Sequence, residues 1–210
     1  MSHQTLAVLG TSSTSEKLTA MGAVMAALIL LGIHSFQLAT FHLVLWDFLL
    51  LPLAWVLADL LSGIVHWTAD TWGSEDTPVI GPRFIRPFRV HHVNADDIVS
   101  RSFLHLNGDV ALGVLPILTA AFFVSGAGRV FLVALALCIL PTNQIHQWAH
   151  QPVAPRFARG LQHLGLILRP DQHRLHHTDP NRSHFCIAAG WCNGFLERIL
   201  PRVEQWIRRS

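Results

Sequence analysis

Charge is what this chain most lacks. Only 13% of its 210 residues are Asp, Glu, Lys or Arg, about half the roughly 25% of ordinary soluble domains. The formal net charge is +2, and no basic run with interleaved aromatics occurs, which argues against a nucleic-acid partner. Cysteine is scarce as well. Cys138, Cys186 and Cys192 form no CxxC and no paired framework, so neither a disulfide scaffold nor a thiolate zinc site is expected. They read as small apolar packing residues. The start of the chain lacks the positive charge followed at once by a short apolar core that marks a cleaved secretory signal. Residues 1–16 are polar and Ser/Thr-rich, and a disordered lead is expected there.

What fills the chain instead is hydrocarbon: 51% of residues are hydrophobic. No charged residue lies between Lys17 and Asp47, and the apolar part runs from about Leu18 to Leu38, close to the ~20 residues a membrane-spanning helix needs. A second stretch runs from about Leu43 to His66 and contains Asp47 and Asp59. A third runs from Val110 to about Ser125, and a fourth from Val130 to about Trp148, with Pro141 inside it. The third is short, so it is expected to sit in a thinned region or to extend through Gly126. Ser125 to Gly128 reads as a tight turn. Four such stretches imply an all-α, integral membrane four-helix bundle, with residues 17–210 as one membrane-embedded domain. Arg83, Arg86, Arg89 and Arg101 lie between the second and third stretches, and nine arginines follow His150. The two opposite turns carry only Arg129. The positive-inside rule then places the long loop, the tail and the N-terminus in the cytoplasm. Trp67, Trp72 and Trp148 fall where interfacial tryptophans are expected.

Histidine is the excess, with fourteen in 210 residues. His66 ends the second stretch, His91 and His92 lie in the long loop, His146 and His150 end the fourth stretch, and His173, His176 and His177 lie in the tail. All eight therefore map to one membrane face, as a histidine-rich helical cap. His146 and His150 are i and i+4, and His173, His176 and His177 are i, i+3 and i+4, so each set shares one helical face. The adjacent His91 and His92 cannot share a face; they can ligate two metals, or one metal while the neighbour bends away. Imidazole serves iron, zinc, copper and nickel, whereas calcium and magnesium want oxygen. Eight ligands exceed the four that a zinc ion uses. Divided between two ions, they leave positions open for dioxygen. The paired Glu-x-x-His motifs of soluble carboxylate-bridged sites are absent. His34 and His42 read as core residues and His3 as inert, while His105, His163 and His184 stay unassigned. Asp59, His66 and Asp70 are spaced by seven and four, on one helical stripe. An acid within a membrane span is functional by default. Asp59 or Asp70 is therefore expected to accept the second N–H of a ligating imidazole, with direct ligation by Asp70 as the lesser alternative.

The segments ADLLSGIVHWTADTWG (Ala58 to Gly73), FIRPFRVHH (Phe84 to His92), NGD (Asn107 to Asp109), TNQIHQWAH (Thr142 to His150), HRLHH (His173 to His177) and GWCNGFLE (Gly190 to Glu197) resemble the plasmanylethanolamine desaturase family. That family includes bacterial relatives first met as carotenoid regulators. A more distant plant branch puts a trans double bond into phosphatidylglycerol. The resemblance implies a membrane di-iron enzyme that removes two hydrogens from the first two carbons of an ether-linked alkyl chain. It would use dioxygen and two electrons from a cytochrome b5 or ferredoxin type donor, with the eight histidines as iron ligands. Departures are Arg101 and Gly165 where the animal enzymes carry His, and Gln172 where a second His precedes the final cluster. They leave open an ester-linked acyl chain as substrate; hydroxylation at the same histidine site and a non-enzymatic metal-binding regulator are the further alternatives. Arg83, Arg86 and Arg89 lie near His91 and are candidates for the lipid phosphate. Glu75, Asp76, Asp96 and Asp97 are candidates for an amine. A bacterial inner membrane is the expected location.

Overall fold

In hydrocarbon a backbone N–H or C=O has no water to bond, so an apolar segment must satisfy its polar groups internally and forms a helix. The computed structural model describes residues 13–39, 45–178 and 180–209, and among them there is helix and no strand. The helices are α1 (Thr14–Ala39), α2 (Leu50–Thr71), α3 (Arg86–Val93), α4 (Asp96–Ser100), α5 (Phe103–Ala120), α6 (Ala127–Ile139), α7 (Thr142–His150), α8 (Arg156–His163), α9 (Pro170–His176) and α10 (Asn193–Ile207). A 3-10 turn (Leu45–Leu49) precedes α2, and a π turn (Gly81–Ile85) leads into α3. Four segments are long and apolar enough to cross a membrane: Thr14–Ala39, Asp47–Thr71, Phe103–Phe123 and Ala127–His150. Their outward faces carry exposed Leu18, Leu28, Phe36, Leu53, Phe123 and Leu137. An apolar surface of that extent suits lipid, not water.

The boundaries differ from the hydropathy reading in instructive ways. The third crossing needs no thinned bilayer, because its helix starts seven residues earlier, at Phe103. Ser102 caps it by accepting from the His105 amide. The polar first turns are tolerated because the Asn107 side chain donates to the Phe103 carbonyl and Asp109 pairs with Arg83. The fourth crossing is two helices rather than one. α6 ends before Pro141, which offers no N–H and clashes with the preceding turn, and α7 restarts at Thr142. Of the expected disordered lead, residues 1–12 lie outside the described residues, as do His3 and His42, while the helix already begins at Thr14.

Helix α1 packs on α5, α5 on α6, and α6 on α2. Small residues let the backbones approach. On α1 the buried stripe is Ala20, Ala23, Ala27 and Leu31. Opposite it, a Cβ at Gly108 would lie 2.3 Å from the Ala20 Cβ. At the other seam Ala54 and Ala58 of α2 meet Ala134 and Leu135 of α6.

The chain after α7 folds over the end of α2. Phe185, Cys186, Leu196 and Leu200 bury Trp67 there, so this tryptophan is a packing residue beneath the cap and not an interfacial anchor. Trp148 packs edge-on against Phe157. The space at Gly63 is filled by the cap: a Cβ would lie 2.5 Å from Leu196 Cδ1 and 2.7 Å from Cys186 Sγ. The three cysteines are free. Burial pushes the Cys186 thiol far up and the Cys192 thiol up to about 11, so both are inert packing groups.

Candidate metal centre

The end of the bundle where α2 and α7 stop and α5 starts is where the four histidine-bearing stretches meet. α2 supplies His66, α3 supplies His91 and His92, α7 supplies His146 and His150, and α9 with its C-cap supplies His173, His176 and His177. Their donor atoms form two groups. His91, His146, His150, His173 and His177 make one, and His66, His91, His92 and His176 the other. Within each group the atoms lie within 4.8 Å of one another, and His91 belongs to both. The i, i+3, i+4 spacing on α9 divides His173 and His177 from His176, one group on each side.

In the first group His173 Nε2 lies 2.8 Å from His146 Nε2, 2.7 Å from His150 Nε2 and 3.1 Å from His177 Nε2. His146 and His150 approach to 3.2 Å. A neutral imidazole has one N–H, so one nitrogen cannot serve three others as hydrogen bonds. Metal–nitrogen bonds of about 2.1 Å set neighbouring ligand atoms roughly 3.0–3.4 Å apart, which fits this clustering. In the second group His176 Nε2 is 3.1 Å from His66 Nε2 and 3.3 Å from His92 Nε2. Asp70 enters this group directly: its oxygens lie 3.4 Å from the Nε2 of His66, 3.4 Å from that of His176 and 3.2 Å from that of His92. His91 Nε2 is buried with no hydrogen-bond partner among the described residues. Converging imidazole lone pairs, the orphaned buried Nε2 of His91 and one carboxylate suit two transition-metal ions.

The surroundings keep the rings neutral and oriented. Burial first, and then the neighbouring imidazoles, hold His91 and His173 well below the usual histidine range. His177 is pushed down to about 3, by burial and then by His150. Neutral rings keep a lone pair for a metal. His66 donates from Nδ1 to the Phe185 carbonyl, and His176 donates from Nδ1 to the Ser183 carbonyl. Each bond leaves Nε2 as the free donor atom.

These orienting acceptors are backbone carbonyls and not Asp59, which touches no imidazole among the described contacts. Asp59 is fully buried. Its Oδ1 accepts from the amides of Ala189 (2.7 Å) and Gly190 (2.9 Å), and its Oδ2 from that of Cys192 (2.9 Å). Ser62 accepts from the Ile187 amide. Asp59 therefore acts one step back, by holding the segment that presents Phe185 to His66. The arginine expectations also divide. Arg83 pairs with Asp109 at 2.6 Å. Arg89 donates to the carbonyls of Ala69, Trp72 and Gly73, capping α2 and tying α3 to it, so it is not available for a phosphate. Arg86 lines no described cavity. Asp97 pairs with Arg101. His34 donates to the Leu118 carbonyl inside the bundle, and His184 pairs with Glu197.

Several positioning residues escaped the sequence reading. Gln147 donates to the carbonyls of Ile98 and Arg101 and accepts from Gln144. Asn143 donates to the Leu106 carbonyl, and Asn193 accepts from the Cys186 amide. Their only signal was their place within the quoted motifs.

A cavity of about 400 Å³ leads to the cluster, within the usual range for small-molecule sites. Leu61 and Val65 of α2, Val110 and Gly113 of α5, and Ile139 form its apolar length, and it reaches His91 and His146.

The family described as the lipid desaturase domain matches this chain over residues 55–209. The chain is 44% identical over 163 residues to the plasmanylethanolamine desaturase of Myxococcus xanthus, covering 74% of this chain and 58% of that protein. It is 40% identical over 156 residues to plasmanylethanolamine desaturase 1 of Mus musculus, covering 69% and 58%. With the chloroplastic fatty acid desaturase 4 of Arabidopsis thaliana it shares 37% identity over 149 residues, covering 68% and 45%. The chain thus spans about half the length of these relatives. No solved structure matches it.

Proposed function

The chain belongs to the lipid desaturase family, and from that premise we propose that it forms the vinyl ether bond of a plasmanyl phospholipid at a di-iron site. Four segments long and apolar enough to cross a membrane place this family's domain in a bilayer, where its lipid substrate lies. One iron would be held by His146, His150, His173 and His177 and the other by His66, His92 and His176 with Asp70, with His91 belonging to both donor groups. Bound there, the irons supply the oxidant for an unactivated methylene, with dioxygen as co-substrate and two electrons from a cytochrome b5 or ferredoxin type donor.

The observation that carries the reading is the cavity. An apolar passage between α2 and α5, within a lipid-embedded bundle, ends on His91 and His146. Its walls hold an alkyl chain and exclude water, which protects a reactive intermediate. The same cavity is lined by Arg83, Arg101 and Asp109, so charged groups and imidazoles share one chamber. A lipid lying in it places carbons near its glycerol, rather than mid-chain carbons, beside the imidazoles. This favours the ether-linked first carbons over a mid-chain methylene. We place the site on the cytoplasmic face of the membrane, on the strength of the arginine distribution.

The test is anaerobic purification with iron counting, joined to lipidomics of cells supplied with alkyl-ether lipid. About two irons per chain and an acid-labile vinyl ether that disappears in His173→Ala are expected. A new double bond confined to ester-linked chains would move the substrate to the plant-like activity. A hydroxylated product would make the chain a hydroxylase, and one zinc per chain without oxygen consumption a metal-binding regulator.

A further inference from the structure

Beside the apolar cavity lies a second hollow of about 260 Å³, and its lining is of a different kind. Glu16 and Lys17 come from the first turn of α1, Arg101 from the residue before the Ser102 cap, and His105 and Asp109 from α5. Arg83, Pro87, Arg101, His105 and Asp109 line both hollows, so the two adjoin through a shared wall, the first as an apolar arm and the second as a charged arm. We propose that the charged arm is the phospholipid head-group site, with Arg101 and Lys17 receiving the phosphate. This rests on the lipid desaturase reading above and replaces the earlier candidates Arg86 and Arg89, which line neither arm.

Four observations support the assignment. Arg101 is held as a preorganised fork: its Nε and Nη2 both donate to Asp97 Oδ2, the former at 3.0 Å, while Nη1 takes no part in that pair. The backbone on either side is fixed too, because the Arg101 carbonyl accepts from Gln147. A guanidinium held in this way loses little freedom when it binds a phosphate. Lys17 is exposed at the rim, where a flexible ammonium can meet the anion from the other side. Arg83 is engaged in the same way, by Asp109 through Nε and Nη2, but Asp109 itself lines the arm, whereas Asp97 lines neither hollow, so Arg101 brings the less offset charge to the arm. Glu16 and Asp109 bring negative charge to the same arm, which suits a head group that carries a cation beyond its phosphate. α1 therefore completes the substrate site, although it lies outside the region that matches the lipid desaturase domain.

The experiment measures binding and needs no turnover. Detergent-purified, delipidated protein is titrated with dioleoyl phosphatidylethanolamine and, separately, with dioleoylglycerol, which has no phosphate, and the adducts are counted by native mass spectrometry. The wild-type chain should prefer the phospholipid by about tenfold or more, the scale of one or two charge-assisted contacts. Lys17→Gln should reduce that preference several-fold. Arg101→Gln combined with Asp97→Asn, which leaves no buried carboxylate unpaired, should abolish most of it. Arg156→Gln, a change at an exposed arginine on α8, should leave it intact. Inorganic phosphate at millimolar concentration should not displace the lipid, since it has no chain for the apolar arm. Displacement would mark the arm as a free-phosphate site and overturn the proposal, and so would equal binding of the two lipids by wild type or an unchanged preference in the Lys17 and Arg101 variants. A head-group preference in a protein that forms no vinyl ether would sink the function above and leave this site standing.

Discussion

Asp59 provides the sharpest test of how the cap builds the site. Its carboxylate accepts three backbone amides, from Ala189, Gly190 and Cys192, and is fully buried. Asp59→Asn keeps the shape but turns one acceptor into a donor. If the amide oxygen keeps the Ala189 and Gly190 bonds, the new NH2 faces the Cys192 N–H and that amide is orphaned. Hydrogen bonds to charged groups contribute about 1.5–3 kcal/mol each, and an unsatisfied buried donor costs about 1–3 kcal/mol. Loss of one such bond, with weakening of the other two, gives a destabilisation of about 2–4 kcal/mol, or about 5–15 °C in the unfolding midpoint of a chain this size. The same segment presents the Phe185 carbonyl to His66 Nδ1, so metal affinity should fall by about 10–100-fold, the usual effect of disturbing a ligand's outer partner. The assay is thermal unfolding in detergent together with competitive chelation. A variant with an unchanged midpoint and unchanged metal retention would refute the claim that Asp59 holds the cap.

Three further outcomes are expected. Asp70→Ala removes the only carboxylate that the described residues place among the histidines of the second group, so metal content should drop from about two toward one per chain, measured by elemental analysis. Retention of both ions would place Asp70 outside the coordination sphere. Gly63→Ala sets a Cβ 2.5 Å from Leu196 Cδ1 and 2.7 Å from Cys186 Sγ. It should cost about 1–3 kcal/mol by overpacking and be partly rescued by Leu196→Ala, both read by thermal unfolding. Acid should destabilise the metal-free protein. His91, His173 and His177 have folded pKa values below the free imidazole, so their contribution is complete above about pH 6.5 and is lost as pH falls below it. Each fully buried ring can add up to about 1.4 kcal/mol per pH unit to that loss. An unfolding midpoint that stays flat from pH 7 to pH 5 would contradict it.

The long charge-free runs dictated four helices on their own, because hydrocarbon leaves the backbone no other way to satisfy its polar groups. Histidine spacing likewise foretold which imidazoles share a helical face, since that periodicity is local. Other features required the folded chain. The start of α5 at Phe103 depends on Ser102, Asn107 and the Arg83–Asp109 pair, and only the last of these joins residues distant in sequence. The burial of Trp67 depends on a cap that returns more than a hundred residues later. Asp59 and Asp70 looked alike along one stripe of α2, yet Asp70 faces three imidazoles while Asp59 faces three amides. Arg89, which by position was as plausible a phosphate ligand as Arg83, turned to three helix-end carbonyls. A side chain's chemistry is local, but its partner is whatever the tertiary fold brings within reach. Composition and period therefore reveal the bundle and the metal-binding residue types, while the division of ligands between two groups and the adjacency of two cavities are decided by packing alone.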